Sequence, residues 1–308
     1  MSESLSVADL RLLAASWALS LRADRKSPQT LKAYGDGVRY FLDWCERHEA
    51  TPLSRASLRG WVSALLDGGA AAATARARQL AVRRFSAWLA EEGEIGTDPF
   101  LGVKAPKLDQ QVVEPLTDEQ LRALLKACQP PKGATPAEAL RHRRDEAILR
   151  LMLETGARAG EVVALTLDDL DLVAGTATIR RGKGGKGRVV PVGPQAAQAI
   201  DRYLRLRRHH RLAATSADLW LGDRGKQFSY DALHKTLGER AAAAGIAGFH
   251  PHKMRHTAAH RWLAKGGSEG GLMAVAGWTR PDMLMRYTKA QASARAAEEA
   301  ARLNLGEL

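Results

Sequence analysis

The apolar periodicity that runs through most of this chain lapses between Gly93 and Pro115, where Gly93, Gly96, Asp98-Pro99, Gly102, Pro106 and Pro115 alternate with isolated charges. Such a stretch has no sustained apolar face to bury, so it reads as a connection between two separately packed bodies. Two domains is also what surface-to-volume scaling favours for 308 residues. The reading places a helical domain over 1–97, a linker over 98–115 and a second domain over 116–308.

Before the lapse, apolar positions recur at helical spacing in four blocks, Leu5 to Leu21, Thr30 to Arg47, Leu58 to Leu66 and Thr74 to Leu89, which predicts a small bundle. Ser27 can cap the second helix and Pro28 suits its first turn, after which Tyr34, Val38, Phe41, Leu42 and Cys45 fall on one core-facing stripe. The fourth block sets Arg76, Arg78, Arg83 and Arg84 beside Leu80, Phe85 and Trp88. A solvated basic face and a phosphate-gripping one account for those arginines equally well.

After the lapse, Thr117-Asp118-Glu119-Gln120 reads as a helix cap ahead of Leu121, Leu124 and Leu125, and a second helix runs from about Pro136 to Glu154. Gly156 ends it and puts Arg158 just past the end, with Glu161 three residues on. Thr176–Arg180 and Arg188–Val192 are strand-like and flank a basic, glycine-rich tip, Arg181-Gly182-Lys183-Gly184-Gly185-Lys186-Gly187, so a β-hairpin is expected. A helix from Gln195 to Arg211 follows, and its Arg202, Arg205, Arg207, Arg208 and Arg211 look like a phosphate grip. The fold class is therefore mainly α with a small β-sheet in the second domain. Asp168-Asp169-Leu170-Asp171 lies between helix and strand, where Asp caps and turns, rather than forming a two-metal nuclease centre.

The stretch from Phe249 to Lys289 is unusual for a core. Pro251 can open a helix, but His252, Lys253, Arg255 and His256 crowd its first turns where Leu or Val would be expected. Gly266, Gly267, Gly270 and Gly271 break the chain, so Leu272 to Ala276 reads as a short helix ended by Gly277, with Trp278 next. Pro281 can open a last helix, Asp282 to Tyr287.

Forty-six Lys and Arg against 34 Asp and Glu give a net charge of +12, the footprint of a polyanion binder. There are 15 basic and 12 acidic residues up to Lys107, and 31 and 22 after it, so the second domain carries most of the excess. Cys45 and Cys128 are far apart and have no metal-ligand spacing, which fits a reducing compartment. No run approaches the roughly 18 apolar residues that span a bilayer, and Met1-Ser2-Glu3-Ser4 lacks the basic start of a signal peptide. The expected setting is the cytoplasm, without membrane contact.

Four motifs in order carry a resemblance: Arg158 in Thr155-Gly156-Ala157-Arg158-x-x-Glu161, Lys183 in Gly182-Lys183-Gly184-Gly185-Lys186, His252-x-x-Arg255-His256, and Tyr287 nine residues after Trp278. Together with the Ser27-Pro28-x-Thr30-Leu31-x-x-Tyr34 opening, they resemble the tyrosine recombinase (phage integrase) family over Ser27 to about Lys289. The resemblance implies a helical core-binding domain and a catalytic domain closing as a C-shaped clamp on double-stranded DNA with inverted-repeat half-sites. It also implies a monomer or weak oligomer when free and a homotetramer on two sites. The implied reaction cuts and rejoins strands through a 3′-phosphotyrosyl intermediate and uses no cofactor, because a covalent protein–DNA link keeps the phosphoester energy that hydrolysis would lose.

Within that reading Tyr287 is the nucleophile, His252 its base, Arg158 and Arg255 the guanidinium forks for the phosphate, and Lys183 the general acid. Trp278 stands where most relatives have His, although some simple members carry Trp. An indole N–H can donate to a phosphate oxygen but cannot shuttle a proton, so its role is positioning and packing. Glu161 matches the family's acidic support residue, and His256 reads as a hydrogen-bonding neighbour. Candidate DNA contacts are Arg76, Arg83, Arg84, Arg181, Lys186, Arg188, Arg205 and Arg208. His252, His256 and His260 share a helix face, yet no Glu or Cys accompanies them in a zinc pattern, so no metal is expected. Two alternatives stay open: a catalytically silent sequence-specific DNA-binding protein, and a monomeric topoisomerase IB-like nicking-closing enzyme. The tail at about 290–308, with Ala294, Ala297, Ala301 and Leu308 on one stripe, reads as an amphipathic helix that docks on its own domain or on a neighbouring protomer.

Overall fold

The computed structural model describes residues 5–108, 114–180, 187–222, 227–280 and 284. The hairpin tip, the helix expected at Asp282 to Tyr287 and the tail helix lie outside those residues. The chain divides into two compact units, Met1–Gln111 and Val112–Leu308.

The first unit is built from α1 (Val7–Ala23), α2 (Pro28–Arg47), α3 (Arg55–Asp67) and α4 (Ala72–Glu91). Each of the first three starts where a serine hydroxyl accepts an otherwise unpaired backbone N–H: Ser6, Ser27 and Ser54. The stripe on α2 is buried at Val38, Phe41, Leu42 and Cys45, while Tyr34 is half-buried and stacks on Trp17 with ring centroids 5.6 Å apart. A Cβ at Gly37 would lie 2.6 Å from Ala81 Cβ, so α2 and α4 approach too closely there for any other residue. Leu80, grouped above with Phe85 and Trp88, is instead 40% exposed. Five residues of α-helix rotate a side chain roughly 140° from Phe85, which puts Leu80 on the outer face.

Part of the stretch read as linker is packed. Phe100 and Val103 are buried in the first unit's core, where Phe100 meets the Phe41 ring edge-on. Asp98 holds this segment to α4 by accepting from Ser86 Oγ, and Arg55 on α3 donates to the carbonyls of Pro99 and Leu101. Two apolar side chains suffice to pin a segment whose composition is otherwise that of a connection.

The second unit comprises α5 (Asp118–Ala127), α6 (Pro136–Thr155), α7 (Ala159–Val163), a 3₁₀ turn at Leu167–Asp169, β1 (Leu170–Asp171), β2 (Thr176–Ile179), β3 (Arg188–Pro191), α8 (Pro194–Arg207), α9 (Tyr230–Ala243), α10 (Pro251–Ala264) and α11 (Glu269–Ala276). The strands form one antiparallel sheet in the order β1-β2-β3, with Ala177 opposite Val190 and Ile179 opposite Arg188. The fold is thus mainly helical with a small sheet. Strand β1 escapes sequence reading because it is two residues long. Helix α9 was also not anticipated, although Ser229 caps it and Leu233, Leu237 and Ala241 make a buried stripe.

Helix α6 is the centre of this unit, with Ile148, Leu149, Leu151 and Met152 buried. It also buries Asp145, which accepts from Arg144 on its own helix and from Thr236 and Arg240 on α9, so that charge is fully compensated. The acidic run after α7 does the work of turns: Asp169 accepts the Thr166 N–H and pairs with Arg180, and Asp171 accepts from Val173 and Ala174.

One member of the expected phosphate grip on α8 is misassigned by sequence. Arg207 is buried and donates to the carbonyls of Leu219, Ser216 and Asp218, pinning the chain that follows α8. Arg205 and Arg208 are exposed, the former paired with Asp201 and the latter donating to His209. Arg207→Met is expected to cost about 2–3 kcal/mol of stability by stranding those carbonyls, and Arg205→Met within about 0.5 kcal/mol. Urea unfolding of the two variants checks the contrast.

Candidate active site

The C-terminal end of α6 makes the first wall of the site. Gly156 ends the helix in the left-handed region at φ 59°, where its N–H reaches Met152 O. Thr155 Oγ1 donates back to Leu151 O and accepts the Ala157 N–H, which fixes the turn. The chain therefore leaves α6 sharply and places Arg158 as the residue capping α7. Glu161, on the first turn of α7, grips Arg158 twice, accepting its backbone N–H at 2.9 Å and its Nη1 at 2.8 Å.

The second wall comes from α10. Arg255 is 1% exposed, and its Nη1 donates to Gly156 O at 2.6 Å, two residues before Arg158 in the chain. Its guanidinium lies 5.2 Å from the Trp278 ring centroid in a cation–π arrangement. Trp278 itself is 5% exposed and packs with Leu263, Leu272 and Ala276, just after Gly277 ends α11 at φ 65°.

His252 is exposed at the start of α10 and meets His256 edge-on, centroids 4.7 Å apart; His250 stacks beside it at 6.4 Å. Partial burial, with Lys253 and His234 nearby, pushes His250 below the ordinary imidazole value, so at neutral pH it adds little charge to the group. A cleft of about 410 Å³ opens between these walls, lined by Arg158, Glu161, His252 and Arg255 and closed from α9 by Tyr230 and His234. Those last two, in tilted ring contact with centroids 4.5 Å apart, have no counterpart in the sequence reading. The Ser229 cap and the α9 stripe were the available signals, but nothing local ties α9 to the other motifs.

Glu161 has a further partner. Arg188, expected among the DNA contacts, instead turns inward: its Nη2 and Nη1 donate to Glu161 at 2.8 and 3.3 Å, and its Nε donates to Val275 O at 2.8 Å. A carboxylate shared by two guanidiniums is the stronger local attraction. Burial works to raise the Glu161 carboxyl's pKa, but the bonds from Arg188 and Arg158 outweigh it and hold the group below its ordinary 4.5. In the first unit Arg76 and Arg84 are exposed and Arg83 is half-buried. Lys183, Arg181, Lys186 and Tyr287 lie outside the described residues. Among the described residues no three His, Cys, Asp or Glu side chains are grouped to hold a metal ion, and no helix is long and apolar enough to cross a membrane.

Two anchored guanidinium forks, an exposed histidine and a buried carboxylate on a mainly helical fold make a site with the chemistry to hold an anionic group and exchange a proton beside it. A family model described as Phage integrase family matches residues 114–294, and one for the phage integrase N-terminal SAM-like domain matches residues 14–93. The chain is 30% identical to tyrosine recombinase XerC of Roseiflexus sp. (strain RS-1) over 84% of its own length and 82% of that protein's. It is 34% identical to tyrosine recombinase XerD of Mycobacterium tuberculosis (strain CDC 1551 / Oshkosh), covering 78% and 80%. Among solved structures, the XerH site-specific recombinase bound to a palindromic difH substrate in a post-cleavage complex aligns with a TM-score of 0.72 at 18% identity, over 96% of this chain and 84% of that one. A lambda integrase dimer bound to a COC′ core site gives 0.68 at 16% identity, over 89% and 93%.

The chain belongs to the phage integrase family of tyrosine recombinases, enzymes that cleave and rejoin DNA strands in site-specific recombination.

Because the folded Glu161 carboxyl titrates below its ordinary 4.5, the stability it confers is fully present above that value and is lost as pH falls through the depressed one. Glu161→Gln is expected to cost roughly 2 kcal/mol at pH 7, less than a fully buried pair because Arg158 is about a third exposed. Thermal unfolding across pH should show the gap between wild type and variant holding above pH 4.5 and narrowing as pH falls through the depressed value.

Proposed function

We propose that the site cuts one DNA strand by attack of the Tyr287 phenol on a backbone phosphate. The P–O bond to the 5′ oxygen breaks, a 3′-phosphotyrosyl link forms, and the 5′ oxygen leaves as a hydroxyl after taking a proton from Lys183. His252 accepts the phenol proton, which matters because a phenol with a pKa of about 10 is mostly protonated at neutral pH. Rejoining is the same step run backwards by a 5′-hydroxyl from the other duplex, so the bond energy is conserved and no cofactor is called for.

The observation that carries this reading is that Arg158, held by Glu161, and Arg255, held by Gly156 O, line one cleft with His252. As the non-bridging oxygens gain charge, two planar forks held beforehand stabilise that charge without reorganising. Trp278 holds Arg255 from beneath. Exposed Arg76, Arg84, Arg205 and Arg208, with Arg83, Arg181 and Lys186, are proposed to grip flanking phosphates. The working assembly is proposed as a homotetramer on two sites with inverted-repeat half-sites, formed in the cytoplasm from monomers or weak oligomers. The tail at about 290–308 serves as the link between protomers.

Tyr287→Phe removes one hydroxyl and should leave duplex binding unchanged while abolishing the covalent adduct on a nicked suicide substrate, read by denaturing gel. An adduct in that variant removes Tyr287 from the role. Lys183→Ala should slow cleavage strongly on ordinary DNA, yet recover much of the rate when the 5′ bridging oxygen is replaced by sulfur, whose leaving group needs no proton. Equal slowing on both substrates would reassign Lys183 to phosphate binding.

A further inference from the structure

This inference rests on the strand-cutting reading above and concerns a residue to which that reading gives no role. Arg188 opens β3 and pairs with Ile179 at the last described rung of the β2–β3 ladder, so it stands where the hairpin leaves the sheet, five residues after Lys183 in sequence. Its side chain is only 13% exposed. Three of its donor atoms are committed inside the protein: Nη1 and Nη2 to Glu161, Nε to Val275 O. The guanidinium also lies flat against the backbone of Gly277, where an added Cβ would come within 2.8 Å of it. Gly277 immediately precedes Trp278, and the chain reaches Tyr287 ten residues later.

We propose that Arg188 is a positioning residue that joins three parts of the site: the base of the hairpin carrying Lys183, the Glu161 carboxylate that grips Arg158, and the end of α11 from which Trp278 and Tyr287 follow. The chemistry fits the task. A guanidinium presents donors along two edges of one plane, so it can bridge a carboxylate and a carbonyl at once, whereas an ammonium at the same place reaches one of them well. Gly277 supplies the matching surface, since its left-handed φ and missing side chain let that plane seat directly on the backbone. With the bridge intact, acid, phosphate forks and nucleophile segment share one frame. With it cut, each keeps its own local support but not its register with the others, and a misplacement of about 1 Å at such a site costs roughly a hundredfold in rate.

The experiment uses the full chain with Arg188→Gln and Arg188→Lys, the latter keeping the charge if the former fails to fold. Single-turnover adduct formation at saturating protein should fall roughly a hundredfold for either variant, with half-site affinity within about twofold, and the loss should persist on the 5′-sulfur substrate because more than proton delivery is disturbed. Amide exchange at Gly277 and Trp278 should accelerate while the middle of α6 stays protected. Wild-type cleavage by Arg188→Lys, or full recovery on the sulfur substrate, overturns the proposal, as does unchanged exchange at Gly277 and Trp278. If the unmodified protein forms no adduct, it is the strand-cutting reading that fails, and the exchange measurement still judges the bridge.

Discussion

The second unit's chemistry depends on one carboxylate. Glu161 sits on a five-residue helix too short to be stable alone, yet it accepts from the backbone and side chain of Arg158 and from the side chain of Arg188. A buried anion between two cations is a low-energy arrangement only while all three are present, since removing any one leaves charge uncompensated in a poorly solvated place. Helix α7 is therefore held less by propensity than by the charges it organises. The same bonds aim Arg158 at the cleft.

The two units meet different physical demands. The first is held by aromatic packing, with Trp17, Phe41, Trp61, Phe85 and Phe100 interlocked around close-packed α2 and α4. Its charges stay outside. The second buries Arg144, Asp145, Glu146, Arg207 and Arg255 within or beside its core, where Arg144 and Asp145 pair, Arg143 donates to Glu146, Arg207 donates to Leu219 O and Arg255 to Gly156 O. Cations held this way keep a fixed geometry that exposed side chains on flexible stems in water do not.

Sequence reading succeeded where the cause is local. Capping at Ser27 and Thr117, the helix end at Gly156 and the one at Gly277 all follow from residues within a turn of each other, and the structure places them there. Arg158, His252 and Arg255, singled out by residue type and spacing, do line one cleft, with Trp278 beside Arg255. What stayed hidden is set by distant partners. Arg188 lies 27 positions from Glu161 and 87 from Val275, so nothing near it announces that it turns inward. Arg207 looks like its exposed neighbours until the chain at 216–219 folds under it. Tyr230 and His234 border the cleft only because α9 is tied to α6 through Asp145.

That tie has a geometric consequence. Helix α6 spans twenty residues, about 30 Å, and its middle fixes α9 through Asp145 while its end fixes α10 through Gly156 O. Both sides of the cleft are thus referred to a single rod, and the gap between them is set by the number of residues separating Asp145 from Gly156 rather than by whatever occupies it. The cleft is a jig rather than a jaw: its gauge is built into the length of one helix.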